Sequence, residues 1–193
     1  LALRLGFLFS IVIMSYILLN IIYTRYIKQI IILDLILLMM FYAIRLLAGY
    51  IPLELSPSPW LLSFSIFLFF SLSLLKRYIE TILLRKNNVV TISGRGYSIN
   101  DSNILMTIGV SSSLVAGLVL LLYTGSDNVT FLYNRPIILI ALVPIYLYWV
   151  TWMWFMAERG IIKSDPVIFA IKNKSTYFVL ACLIIVGLLA GIK

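Results

Sequence analysis

Histidine is absent from the 193 residues, and cysteine occurs once, at Cys182 in the apolar run LACLIIVGLL. Without imidazole there is no Ser-His-Asp or Cys-His catalytic pair, and a bound metal is left to oxygen ligands. A lone cysteine forms no intramolecular disulfide and says nothing about redox compartment. Charge is scarce at 11% of residues, and negative charge scarcer, with 7 Asp and Glu against 15 Lys and Arg. What remains is 63% hydrophobic, which points to a membrane protein.

A helix crosses the hydrocarbon core with about 20 mostly apolar residues. Six segments meet or approach that length: Leu5–Tyr23, Ile30–Tyr50, Trp60–Leu75, Ile104–Tyr123, Pro136–Met156 and Tyr177–Gly191. Tyr23, Tyr50, Trp60, Tyr123 and Tyr177 stand near their ends, where amphipathic rings meet the interface. The runs are continuous and lack period-two alternation, which argues against a closed barrel. The sequence predicts an all-α, polytopic helical bundle forming a single membrane domain over residues 1–193.

Six crossings place residues 24–29, 76–103 and 157–176 on one side. Those segments carry Arg25 and Lys28; Lys76, Arg77, Arg85, Lys86 and Arg95; and Arg159, Lys163, Lys172 and Lys174. Between the spans, the opposite side carries only Arg135. The positive-inside rule makes the basic side cytoplasmic. The expected location is a bacterial inner or plasma membrane, with the functional face toward the cytoplasm.

Topology needs only a few charges near helix ends, so the remaining polar residues call for another reason. Asp34 in IIILDLILL and Arg45 in FYAIRLLAGY lie eleven residues apart, close to three turns, and share one helix face. Either both line a polar cavity, or Asp34 sits at the cytoplasmic interface while Arg45 snorkels to the outer one. KRYIE sets Lys76 and Glu80 four apart, which alone reads as a surface ion pair. GRGY brackets Arg95 with glycines, whose backbone turns freely or approaches a ligand closely. RGIIKSDP brings Arg159 and Asp165 to the same side, with Pro166 marking a loop or the start of a short interfacial helix.

Together these motifs place Lys and Arg beside Asp and Glu on one membrane face. Such side chains hold phosphate oxygens and the Mg²⁺ that bridges them, which suits a substrate with a polyanionic head and an apolar tail. A plain basic patch for anionic lipids is the simpler alternative. Nucleic-acid binding is not expected, because the basic residues are spread over membrane loops without a reading module.

The order YTRYIK, LDLILLMMFYAIRLLAGY, WLLSFSIFLFFSLSLLKRYIE, GRGYSIND and ERGIIKSDPVIFA resembles the UbiA-type prenyltransferase superfamily. Within it, the chain looks most like the decaprenyl-phosphate phosphoribosyltransferases. The resemblance implies a nine-helix bundle of which these six spans are the C-terminal two-thirds. The superfamily's NDxxDxxxD-like motif does not occur here, so the chain as given is expected to be inactive by itself. The branch's DDP is replaced by Ser164-Asp165-Pro166, and Asn173 stands where an acid is expected.

The reaction so implied transfers a 5-phosphoribosyl group from phosphoribosyl diphosphate to a polyprenyl phosphate with Mg²⁺, releasing diphosphate. Lys28, Lys76, Arg77 and Glu80 are the expected catalytic residues. Tyr23, Arg45, Arg95, Tyr97 and Arg159 are expected to bind substrate, and Asp101 and Asp165 to take part in metal binding. The expected partners are the polyprenyl lipid, the sugar diphosphate and the membrane, with an oligomer left open. The alternatives are prenyl transfer from a prenyl diphosphate to an aromatic or other acceptor, and a non-catalytic membrane subunit or lipid transporter.

Overall fold

The computed structural model describes residues 7–51, 58–86 and 95–191. Its helices are α1 Phe7–Arg25, α2 Leu33–Tyr50, α3 Pro59–Lys86, α4 Ser102–Thr124, α5 Asp127–Leu132, α6 Leu142–Glu158, α7 Pro166–Lys172 and α8 Lys174–Gly191. Short 3₁₀ turns at Ile27–Gln29, Ile99–Asp101 and Pro136–Ala141 precede α2, α4 and α6. No strand occurs among the described residues.

Five helical segments are long and apolar enough to cross a membrane: Leu33–Tyr50, Pro59–Leu84, Ile99–Thr124, Pro136–Glu158 and Lys174–Gly191. Six were expected. The remaining expected span, Leu5–Tyr23, corresponds to α1, whose Ser10–Arg25 part is a shorter apolar helix. The spanning helices turn large apolar side chains outward, as lipid-facing surfaces do: Phe178 is 70% and Leu188 64% exposed. Along α8 only Val179 and Ala190 are buried.

The third predicted span was to end at Leu75 and give way to a loop from 76 to 103. Instead α3 continues for three further turns, through Lys76, Arg77 and Glu80 to Lys86. Nothing in LLKRYIETILLRK breaks a helix, and Leu75, Tyr78, Ile79 and Ile82 keep the buried stripe going at helical spacing. Mean hydropathy falls there because the opposite positions carry charge, while the stripe itself persists. The last predicted span likewise begins earlier, at Lys174, and Pro166 does open a short helix, α7.

α3 is the centre of the bundle and touches α2, α4, α6 and α7. Its partner α4 presents Gly109, Ser112, Ser113, Ala116 and Gly117 as a buried small-residue stripe, which lets helix backbones approach closely. Ser112 Oγ donates to the Phe67 carbonyl at 2.8 Å, and the Tyr146 hydroxyl donates to the Ser113 carbonyl at 2.9 Å. A Cβ on Gly109 would lie 2.4 Å from two ring carbons of Trp154 and 3.1 Å from Leu74 Cβ. Trp154 is only 5% exposed and has little room to move. Gly109→Ala is therefore expected to cost about 1–3 kcal/mol, with a second change of Trp154 to Leu recovering part of it. Thermal unfolding of the purified variants reads both; an unchanged midpoint for the single variant would rule out this packing.

Candidate functional site

The three basic segments meet at one end of the bundle. The α1–α2 turn, the distal half of α3, residues 95–101 and the start of α7 are joined there by polar contacts of long sequence separation. Asp34 is the innermost of these residues. It lies in the first turn of α2 and is fully buried, so its carboxylate must be paired.

The pairing group is Arg77, itself buried. Its Nε donates to Asp34 Oδ2 at 2.5 Å and its Nη2 to Asp34 Oδ1 at 3.0 Å, the two-pronged arrangement that suits a carboxylate. Nη2 also donates to the Tyr23 hydroxyl at 3.2 Å, which donates in turn to Asp34 Oδ1 at 2.6 Å. Nη1 donates to Glu80 Oε1 at 2.7 Å, one turn farther along α3. The guanidinium is thus largely occupied by the protein's own oxygens. Arg77 braces the cluster, and a cation with an unused donor has to be a neighbour.

Arg95 is that neighbour. Its Nε lies 3.5 Å from Glu80 Oε2 and its Nη1 3.9 Å from Asp34 Oδ1, both loose contacts. Arg95 Nη1 and Glu80 Oε2 are buried atoms without a hydrogen-bond partner among the described residues. Arg95 therefore keeps a donor available, and its side chain remains 24% exposed. Lys76, 35% exposed on the adjoining face of α3, donates to Asp165 Oδ2 at 2.6 Å. Lys76 and Glu80 do not pair with each other despite their helical spacing.

Residues 95–101 are held against the α1–α2 turn. A Cβ on Gly96 would meet the Gln29 carbonyl oxygen at 2.7 Å and Ile31 Cγ1 at 2.8 Å, so the backbone passes where only glycine fits. The close approach anticipated for GRGY is thus made to the protein's own turn. Tyr97, 2% exposed, accepts the Ile32 N–H at 3.0 Å through its hydroxyl. Burial raises its hydroxyl pKa, a trend opposed by that backbone hydrogen bond. Ile32 has φ 70°, a left-handed conformation that a β-branched residue adopts at a cost of about 1–3 kcal/mol. Strain, glycine and tyrosine coincide at the turn that starts α2 and sets Asp34 in place.

Asp101 and Asp165 have local structural duties. Asp101 Oδ2 accepts the Ser98 N–H at 2.7 Å and the Ser98 hydroxyl at 3.0 Å, closing a capping box. Asp165 caps α7 by accepting the Val167 N–H at 2.9 Å. Burial pushes the Asp165 carboxyl up, but the Lys76 ammonium and the Val167 and Ile168 N–H groups outweigh it and hold the carboxyl below its usual range. Among the described residues, no group of three Asp, Glu or Cys is arranged to hold a metal. The carboxylates present do not fit a Mg²⁺ site by themselves.

Three expected site residues stand elsewhere or uncommitted. Arg45 is exposed, with its guanidinium 5.3 Å from the Tyr16 ring centre and 5.2 Å from that of Tyr42, and it donates to the Tyr16 hydroxyl. No hydrogen bond or ion pair joins it to Asp34 among the described residues. Arg159 is exposed beyond the end of α6 and has no hydrogen bond or ion pair to the Arg77 cluster. Lys28 is half-buried in the 3₁₀ turn, without an ion-pair partner among the described residues. Arg25 ends α1, so the two do not share a helix face. A further residue escaped the sequence reading: Glu158, which accepts the Tyr78 hydroxyl beside the core. Its place at the end of a spanning helix, one position before Arg159, was the available signal.

No family model matches the chain. Uncharacterized protein y4nM of Sinorhizobium fredii (strain NBRC 101917 / NGR234) is 31% identical over 179 residues, covering 92% of this chain and 35% of that protein. Nodulation protein NoeC of Azorhizobium caulinodans is 30% identical over 184 residues, covering 92% of this chain and 56% of that protein. The chain is therefore similar, over most of its length, to a part of each relative: 35% of one and 56% of the other.

Proposed function

We propose that the protein is the membrane-embedded part of a UbiA-type transferase that joins a 5-phosphoribosyl group to a polyprenyl phosphate. In this reading α1 completes a sixth span, the described helices belong to a nine-helix bundle, and the basic end faces the cytoplasm of a bacterial inner membrane. The observation that carries it is the Asp34–Arg77–Glu80–Arg95 cluster at one end of apolar, membrane-length helices. It combines a buried ion pair with one arginine whose Nη1 has no hydrogen-bond partner among the described residues. The motif order described above supplies the reaction class.

A lipid phosphate oxygen attacks the anomeric carbon of phosphoribosyl diphosphate. The bond from that carbon to the diphosphate oxygen breaks, and diphosphate leaves with the electron pair. The acceptor is already an anion, so no side chain has to remove a proton. The protein's task is to position two polyanions and offset their charge. Arg95 and Lys76 take phosphate oxygens, with Lys28 alongside. Arg77 and Asp34 hold the framework, Glu80 orients Arg95, and Tyr97 with Gly96 keeps residue 95 over the cluster. No step is assigned to Mg²⁺, which magnesium-dependent transferases commonly receive on the phosphates of the donor.

The test uses the full-length gene product in membranes with labelled phosphoribosyl diphosphate, polyprenyl phosphate and Mg²⁺. Label is expected in the extracted lipid and is expected to vanish with a chelator. Label arriving instead from a prenyl diphosphate on an aromatic acceptor would replace this reading with prenyl transfer. Lipid association without a new covalent product would replace it with a non-catalytic role.

A further inference from the structure

Arg159, left out of the polar cluster, lies at the end of a different feature. Along the outer face of α6, Tyr148, Thr151, Trp152, Phe155 and Arg159 line an apolar groove of ≈ 530 Å³. Tyr148 and Phe155 are 58% and 56% exposed, and Trp152 stacks on Phe169 of α7 at 5.8 Å. The groove begins at Leu147, twelve residues before Arg159. Twelve helical residues rise about 18 Å, close to the roughly 15 Å depth of one leaflet.

Arg159 is the charged residue among those lining the groove, and cations outnumber acids in the segment that follows α6. Arg159, Lys163, Lys172 and Lys174 are all exposed, and none has an ion-pair partner among the described residues. The two acids nearby in sequence are engaged, Glu158 by Tyr78 and Asp165 by Lys76. Ile161, Ile168 and Ile171, in the same segment as these cations, are exposed as well. A packing helix would have to bring its own carboxylate to Arg159. A lipid with an anionic headgroup matches both length and charge.

We propose that this face of α6 holds one anionic glycerophospholipid, its phosphate on Arg159 and one acyl chain along the groove to Leu147. The site is separate from the polar cluster and does not depend on the transfer reaction.

Native mass spectrometry of the full-length protein, titrated with phosphatidylglycerol or phosphatidylcholine, tests it. Wild type is expected to retain phosphatidylglycerol about tenfold more tightly, and Arg159→Gln to abolish that preference. Thr151→Trp fills the groove without changing charge and is expected to reduce retention of both lipids. Both residues are exposed, so neither variant threatens the core. Equal preference in wild type and Arg159→Gln would overturn the proposal. So would displacement of phosphatidylglycerol by stoichiometric polyprenyl phosphate, or a dimer that forms through this face and survives excess phospholipid.

Discussion

Arg77→Met is expected to destabilise the fold by about 3–5 kcal/mol, because it leaves the Asp34 carboxylate buried without a counter-charge. Asp34 is fully buried, and Tyr23 alone cannot replace two guanidinium bonds. Arg77→Lys is expected to rescue little, since an ammonium cannot span both carboxylate oxygens and reach Glu80 as well. The double variant Asp34→Leu with Arg77→Met removes both charges and is expected to recover most of the loss. Thermal unfolding of wild type, Asp34→Leu, Arg77→Met and the double variant in one detergent completes the cycle. A tolerated Arg77→Met, or a double variant as unstable as the single one, would show that this ion pair does not hold the site.

Arg95→Ala is expected to act on the reaction while sparing the fold. Its ion contacts are 3.5 and 3.9 Å long, against 2.5 and 2.7 Å for those of Arg77, so their loss is expected to cost far less than the loss of Arg77. If the proposed phosphoribosyl transfer is the reaction, removing this donor is expected to lower it about 10²–10³-fold. The pairing of a near-normal unfolding temperature with a large fall in turnover separates this residue from Arg77. Unchanged turnover would remove Arg95 from the site and leave Lys76 and Lys28 as the anion-binding cations. A large fall in stability would recast Arg95 as a second brace.

The helices were legible because each apolar run is long enough to satisfy its backbone inside lipid, where nothing else can do so. The common side of the three basic segments was legible from charge counting alone. The length of α3 was legible too, had the stripe at Leu75, Tyr78, Ile79 and Ile82 been weighed above average hydropathy. GRGY announced a close backbone approach, but nothing local said that its neighbour was Gln29. RGIIKSDP held two unrelated functions side by side: an α7 cap at Asp165 and a groove mouth at Arg159.

By itself the sequence determined the membrane class, the helical architecture and the end of the bundle where charge collects. These follow from composition and period, which act within one segment. The tertiary structure alone decided which charge meets which. Asp34 and Arg77 are 43 residues apart, Ile32 and Tyr97 65, and Lys76 and Asp165 89. A buried carboxylate requires a cation, but its need is indifferent to which one supplies it. Packing of α2 and α3 put Arg77 on Asp34, while Arg95 kept an unpartnered Nη1 and Arg159 stayed outside the cluster.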